Sequence, residues 1–217
     1  MKIALIGATG YVGSAVLSEA LERGHEVTAI ARNTSKIEVE NEKLSLNQLD
    51  VRDSQKLSEA LKDHDVVISA YNSGWSNPAI YEEFIEGSKA IQEAVKTSGL
   101  KRLIVVGGAG SLYADEQTQL VDTPEFPEAI KGGATAARDY LNLLKEEKDL
   151  DWTFFSPAPG MFPGTPPKRT GSYRTGLEHP VLDEKGQSVI SVEDAAVALL
   201  DEAEDAKYIK RRFTAAY

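Results

Sequence analysis

One stretch near the start of the chain limits what it can fold into. Lys2-Ile3-Ala4-Leu5-Ile6 is a short apolar run, and Gly7-Ala8-Thr9-Gly10-Tyr11-Val12-Gly13 follows it directly. Apolar residues then recur at helical spacing, at Val12, Val16, Leu17, Ala20 and Leu21. The order is strand, glycine-rich turn, helix. Such a turn brings backbone N–H groups and the positive end of a helix to one point, where a pyrophosphate can sit. Gly7 allows a tight turn where a side chain would be strained, Gly10 lets the backbone approach the ligand, and Gly13 lets the helix pack closely on the strand. The spacing is G-x-x-G-x-x-G, and by itself it also fits a tight turn with no ligand. The strand before it and the helix after it favour a dinucleotide site.

The rest of the chain repeats the alternation. Strands are expected at Glu26–Ala31, Leu44–Leu49, Asp65–Ala70, Leu103–Val106 and Asp151–Phe155, with a short one at Ser188–Ile190 and a last one at Arg212–Ala215. Helices are expected over about 54–62, 77–98, 127–148 and 191–203. This pattern predicts an α/β fold, a doubly wound parallel sheet of order 3-2-1-4-5-6 with room for a seventh strand. Residues 1–217 read as one Rossmann domain. The Pro-, Gly- and Thr-rich stretch 157–187 reads as a small substrate lobe inserted near its C-terminal end, with Met161, Phe162 and Tyr173 as its apolar anchors.

Composition narrows the function. The net charge of −10 argues against nucleic-acid binding, which needs a basic face to neutralise phosphates. There are no cysteines, so disulfides and thiolate chemistry are excluded. His25, His64 and His179 lack metal-ligand spacing, and no metal site is expected. No apolar run is long enough to span a bilayer, so no membrane partner is expected. The core strand begins at residue 2, which leaves no room for a signal peptide and points to the cytoplasm.

The end of the second strand meets the adenosine ribose in a dinucleotide fold. An acid there selects NAD, and an arginine accommodates the 2′-phosphate of NADP. Here Ala31-Arg32-Asn33-Thr34-Ser35-Lys36 offers Arg32, with no acid before Glu38. NADP(H) is therefore the expected cofactor, with NAD(H) possible; the other account of Arg32 is a solvated loop residue. Ala70 and Tyr71 end the fourth strand, at the carboxyl edge where ligands of open α/β sheets bind. The basic cluster Lys168-Arg169-Arg174 reads either as solvated loop or as a contact for an anionic substrate.

The turn Gly7-Ala8-Thr9-Gly10-Tyr11-Val12-Gly13 resembles that of extended and atypical short-chain dehydrogenase/reductases. The later pattern is most similar to the branch holding NmrA-like proteins, biliverdin reductase B and NAD(P)H-flavin reductases. The resemblance implies cofactor contacts by Gly7, Thr9, Gly10, Tyr11, Val12 and Gly13. Asp50-Val51 is similar to the Asp-Val pair that contacts adenine in the extended enzymes. The resemblance also places the residues after the fifth strand, Gly107-Gly108-Ala109-Gly110-Ser111, beside the nicotinamide. Ser111 could then bond the carboxamide or a substrate oxygen, or the glycines serve only to turn the chain. Typical members carry Tyr-x-x-x-Lys on the next helix. Those positions fall near Lys131 and Thr135, so the pair is missing, and Tyr113, followed by Gln117, does not supply it. Ser111 and Tyr113 remain the catalytic candidates. The implied function is hydride transfer from NADPH to a flavin, quinone or similar planar acceptor. The alternative is a non-enzymatic NADP(H) sensor acting through a protein partner. Epimerase chemistry on nucleotide sugars is weakened by the short C-terminal part and the missing pair.

Overall fold

The computed structural model describes residues 1–166 and 169–217. Its strands are β1 (Lys2–Ile6), β2 (Glu26–Ala31), β3 (Leu44–Gln48), β4 (Val66–Ser69), β5 (Arg102–Val106), β6 (Asp151–Phe155), β7 (Arg174–Gly176) and β8 (Arg211–Ala216). The helices are α1 (Tyr11–Glu22), α2 (Ser54–Leu61), α3 (Ile80–Ser98), α4 (Glu128–Lys145) and α5 (Val192–Asp205). Among the described residues the strands form one sheet of order β3-β2-β1-β4-β5-β6-β8-β7. Every pairing is parallel except that of β7 with β8. The expected Rossmann order is present, extended by β8, the last strand expected at Arg212–Ala215, and by the antiparallel β7, which the sequence did not announce.

Alternation along the buried strands builds two cores. Ile3, Leu5, Ile68 and Ile104 face α1 and α5, where Val16, Leu17, Leu199 and Leu200 meet them. Ala4, Ile6, Val67 and Leu103 face the other way, toward Leu57 and Leu61 of α2, Phe84 and Val95 of α3, and Tyr140, Leu141 and Leu144 of α4. A strand covered on both faces must be apolar at every position, which is why β1 and β4 read as continuous runs.

Caps set several helix ends. Asp53 accepts the Lys56 N–H at 3.2 Å, and Ser191 accepts the Asp194 N–H at 3.1 Å. Gly99 closes α3 in the left-handed conformation at φ 85°.

Ser188–Ile190 is not a strand, although the sequence predicts one. Its carbonyls bond outward instead, Ser188 O accepting from Gly160 N and Val189 O from Tyr217 N. The segment thus bridges the lobe and the C-terminus. The loop before α4 is better ordered than its polar composition suggests: Leu112 and Val121 are fully buried, and Tyr113 bridges Gln119.

The stretch 157–187 folds back on the α1–α5 layer. Arg169 pairs with Glu19 of α1 at 2.7 Å, Thr170 and Gly171 bond Asp194 of α5, and Tyr173 bonds Asp201. Arg174 donates to the carbonyls of Leu182 and Tyr217. Arg169 and Arg174 are therefore exposed anchors of this stretch, with their guanidinium groups engaged within the protein rather than held out to an anion; Lys168 lies outside the described residues.

Candidate nucleotide site

The glycine turn lies at the carboxyl end of β1. Gly7 sits at φ 82°, and a Cβ there would fall 2.5 Å from Ala70 O. A Cβ on Gly13 would come within 2.8 Å of the Gly7 carbonyl carbon and closer still to its oxygen. Both glycines are therefore demanded by the packing of β1, α1 and the end of β4. Gly10 differs. It caps α1 with φ −83° and ψ 171°, an ordinary extended conformation, and its Cβ would meet only Gly7 O at 3.4 Å. Protein packing does not require glycine at that position; a ligand pressed against the backbone would.

The end of α1 is prepared for an anion. Its first helical bond runs from Ser14 N to Gly10 O at 2.8 Å, so the N–H groups of Tyr11, Val12 and Gly13 have no partner within the helix. No side chain caps this end, and no acid lies in the first turn. Thr9, Gly10 and Tyr11 are exposed. A dinucleotide diphosphate fits this cradle: it would take the free N–H groups and the positive helix end, against the face that Gly10 leaves bare. Tyr11 reaches out of the turn and donates its hydroxyl to Phe162 O at 2.7 Å, joining the cradle to the lobe.

Charge collects beyond β2 and β3. Asp50 is paired with Arg52 at 2.8 Å, and the Arg52 side chain and N–H hold its carboxyl down at about 2. Arg32 acts on the same carboxylate through space. Arg32 is exposed and, among the described residues, has no hydrogen bond or ion pair of its own. Val51 is buried. Arg52 had no role in the sequence reading, though it stands in the same tetrapeptide as Asp50 and Val51.

Ala70 and Tyr71 follow β4 at the carboxyl edge, and Gly107, Ser111 and Tyr113 follow β5. Ala70 closes on Gly7. The Tyr71 ring packs on α3, where a Cβ at Gly87 would lie 2.5 Å from Tyr71 Cε1, and its hydroxyl donates to Glu83 O at 3.0 Å. Burial raises the Tyr71 hydroxyl above its ordinary value. Gly107 is glycine because the Phe154 ring of β6 fills the space its Cβ would occupy. Ser111 is buried, its hydroxyl within hydrogen-bonding distance of Gly108 O and of Ser156 Oγ at 3.1 Å. Its carbonyl accepts from the buried Arg212, whose guanidinium also pairs with Glu178 and lies 5.7 Å from the Tyr113 ring centre. The Tyr113 ring is half-buried and its hydroxyl has no partner among the described residues. No hydrogen bond links the hydroxyls of Tyr71, Ser111 and Tyr113: those of Tyr71 and Ser111 bond elsewhere in the protein. No group of residues suited to hold a metal occurs among the described residues.

At Lys131 and Thr135 of α4, where related reductases carry the tyrosine and lysine, the intervening surface is Gly132-Gly133. The indole of Trp75, from the loop after β4, rests on it: a Cβ at Gly133 would come 2.8 Å from Trp75 Cζ3. Sequence reasoning assigned Trp75 nothing; its position after a strand's carboxyl end was the available signal.

A parallel sheet of this order with a bare, uncapped helix end at its carboxyl edge defines a dinucleotide-binding Rossmann protein. The chain belongs to the NAD(P)H-binding family, whose model matches residues 7–205. The Bacillus subtilis (strain 168) protein YwnB is 40% identical over 99% of this chain and 97% of its own length. A "putative epimerase" from Bacteroides thetaiotaomicron is 47% identical, with a TM-score of 0.91 over 100% of this chain and 96% of that one. A "putative NADH-flavin reductase" from Streptococcus pneumoniae TIGR4 is 39% identical, with a TM-score of 0.87 over 100% and 99%. No helix among the described residues is long and apolar enough to cross a membrane.

Proposed function

We propose that this protein is an NADPH-dependent reductase of a planar acceptor, a flavin or a quinone. The observation that carries the reading is the surface of α4, where Lys131 and Thr135 fall near the positions of a proton-donating tyrosine and its lysine, and an indole rests on Gly133 between them. An aldehyde or ketone needs a proton at its oxygen as it is reduced, and a placed general acid supplies about 10²–10⁴-fold. A flavin or quinone draws its proton from solvent and does without one. Bound NADPH supplies the hydride. The chain's part is to hold the dinucleotide at Gly7–Gly13, to attract its 2′-phosphate with Arg32, and to keep an acceptor against the carboxyl edge. The pneumococcal relative's name is in keeping with this chemistry. The Bacteroides relative is named as an epimerase, but sugar-nucleotide chemistry calls for the acid–base pair that Lys131 and Thr135 do not form.

A second reading is a non-enzymatic NADP(H) sensor acting on a protein partner. It is favoured by the engagement of the Tyr71 and Ser111 hydroxyls with internal acceptors, which leaves them no ligand to serve. Steady-state oxidation of NADPH over a panel of FMN, riboflavin, menadione and simple aldehydes separates the two. Turnover with the planar acceptors alone is expected. Tight NADPH binding with no turnover on any of them would establish the sensor.

A further inference from the structure

Trp75 is 58% exposed, whereas Trp152, the other tryptophan, is 3% exposed. Leaving an indole in water forgoes a large apolar burial, yet the loop goes to some length to hold this one. Asn72 Oδ1 accepts the Gly74 N–H at 2.7 Å, and Asn77 N–H donates to Gly74 O at 3.0 Å, closing a turn with Trp75 at its second position. Gly74 takes φ 112°, which favours glycine. Asn77 in turn accepts the Ala79 N–H and donates to Glu83 of α3 at 2.9 Å. The indole is seated against Gly133, as is Ile80: a Cβ at Gly133 would meet each at 2.8 Å.

The same part of α4 carries the loop after β5. A Cβ at Gly110 would lie 3.0 Å from Ala134 Cβ, and one at Gly108 would lie 3.6 Å from Ala137 Cβ. Trp75 and the loop after β5 therefore rest on adjoining residues of one helix, Gly133, Ala134 and Ala137, at the carboxyl edge of the sheet. An aromatic ring that is fixed in place, largely open to solvent and set beside that loop is suited to stack a flat heteroaromatic ligand.

We propose that Trp75 is the platform on which the planar acceptor stacks, with Gly133 bare to seat the indole. The proposal rests on the acceptor-reductase reading and names the residue that selects for flatness. Calorimetric titration of FMN into the NADP⁺-saturated protein tests it, alongside a separate titration of NADP⁺. Trp75→Ala should weaken FMN by roughly 5- to 150-fold, the range found when a stacking aromatic is removed. Trp75→Phe should keep most of the affinity. Gly133→Ala, which leaves Trp75 intact but pushes it off its seat, should also weaken FMN. NADP⁺ affinity should be unchanged in all three, and that unchanged value also shows that the variants are folded. Wild-type FMN affinity in Trp75→Ala overturns the platform while leaving the reductase reading in place. Failure of the native protein to bind either FMN or menadione overturns both.

Discussion

Substituting Gly10 and Gly13 separates the ligand's demands from those of the fold. Gly10→Val introduces no backbone strain, because φ −83° and ψ 171° are open to any residue, and its Cβ finds only Gly7 O at 3.4 Å. The fold's loss is that of a poorer helix cap, about 0.5–1 kcal/mol, or roughly 1–4 °C in Tm for a chain of this size. The branched side chain would project over the unpartnered N–H groups of α1, where the diphosphate must lie. A hydrogen bond to a charged group contributes about 1.5–3 kcal/mol, so each one lost weakens NADPH by roughly 10- to 150-fold. Gly13→Ala behaves in the opposite way. Its Cβ would stand within 2.8 Å of the Gly7 carbonyl carbon, and backbone on both sides must move. Overpacking of this kind costs about 1–3 kcal/mol, or roughly 2–12 °C. The assay is thermal unfolding with and without NADPH. A ligand at a hundred times its Kd stabilises the native protein by about 2.7 kcal/mol. Gly10→Val should lose no more than roughly 1–4 °C in Tm but all of the ligand-induced rise, while Gly13→Ala should keep the rise and start from a Tm lower by its roughly 2–12 °C. A full NADPH-induced rise in Gly10→Val would refute the reasoning, because the turn would then be structural only.

Other outcomes follow from the same geometry. NADPH should bind at least about tenfold more tightly than NADH, or ~1.4 kcal/mol, and Arg32→Ala should remove most of that preference; equal calorimetric affinities in the native protein would count against it. Tyr113→Phe should lower acceptor turnover by less than the 10²–10⁴-fold that marks loss of a general acid, and a larger fall in kcat would reveal a proton donor. Burial pushes the Glu147 carboxyl up, but the Asp149 N–H, Gln92 and Lys96 outweigh it and hold the group at about 2. Likewise, burial raises Asp194, but bonds from Thr170, Tyr217 and Gly171 prevail and keep it below the ordinary carboxylate range. Both pKa values are depressed on folding, so both groups add stability above the unfolded carboxylate value near 4 and lose it as pH falls below that value through their folded ones. Tm followed by circular dichroism should fall over that window, less steeply in Asp194→Asn, which lacks one of the two titrations.

Much of the fold was legible in the chain because the rules that produce it are local. Buried strands show as apolar runs, helices as three-and-four spacing, and the glycine turn as a steric requirement confined to seven residues. With right-handed crossovers, the order β3-β2-β1-β4-β5-β6 then follows with few alternatives. The caps are local in the same way: the sequence offers Asp53 or Ser54 for α2 and Ser191 for α5, and Asp53 and Ser191 each accept from a backbone N–H three residues on. The tertiary structure decided what depends on residues far apart. Arg169, read as loop or anion contact, finds Glu19 across 150 positions. The hydroxyl of Tyr71 turns into α3 because Gly87 leaves room for its ring. Ser188–Ile190 has the composition of a strand but lies where its carbonyls face Gly160 and Tyr217 rather than an open sheet edge. Only the assembled helix surface shows that Trp75 lies over Gly133, because the loop and the helix meet by packing and share no local pattern. Backbone geometry is written in neighbours, whereas the partner of a charge, a hydroxyl or an exposed ring is set by how the layers close.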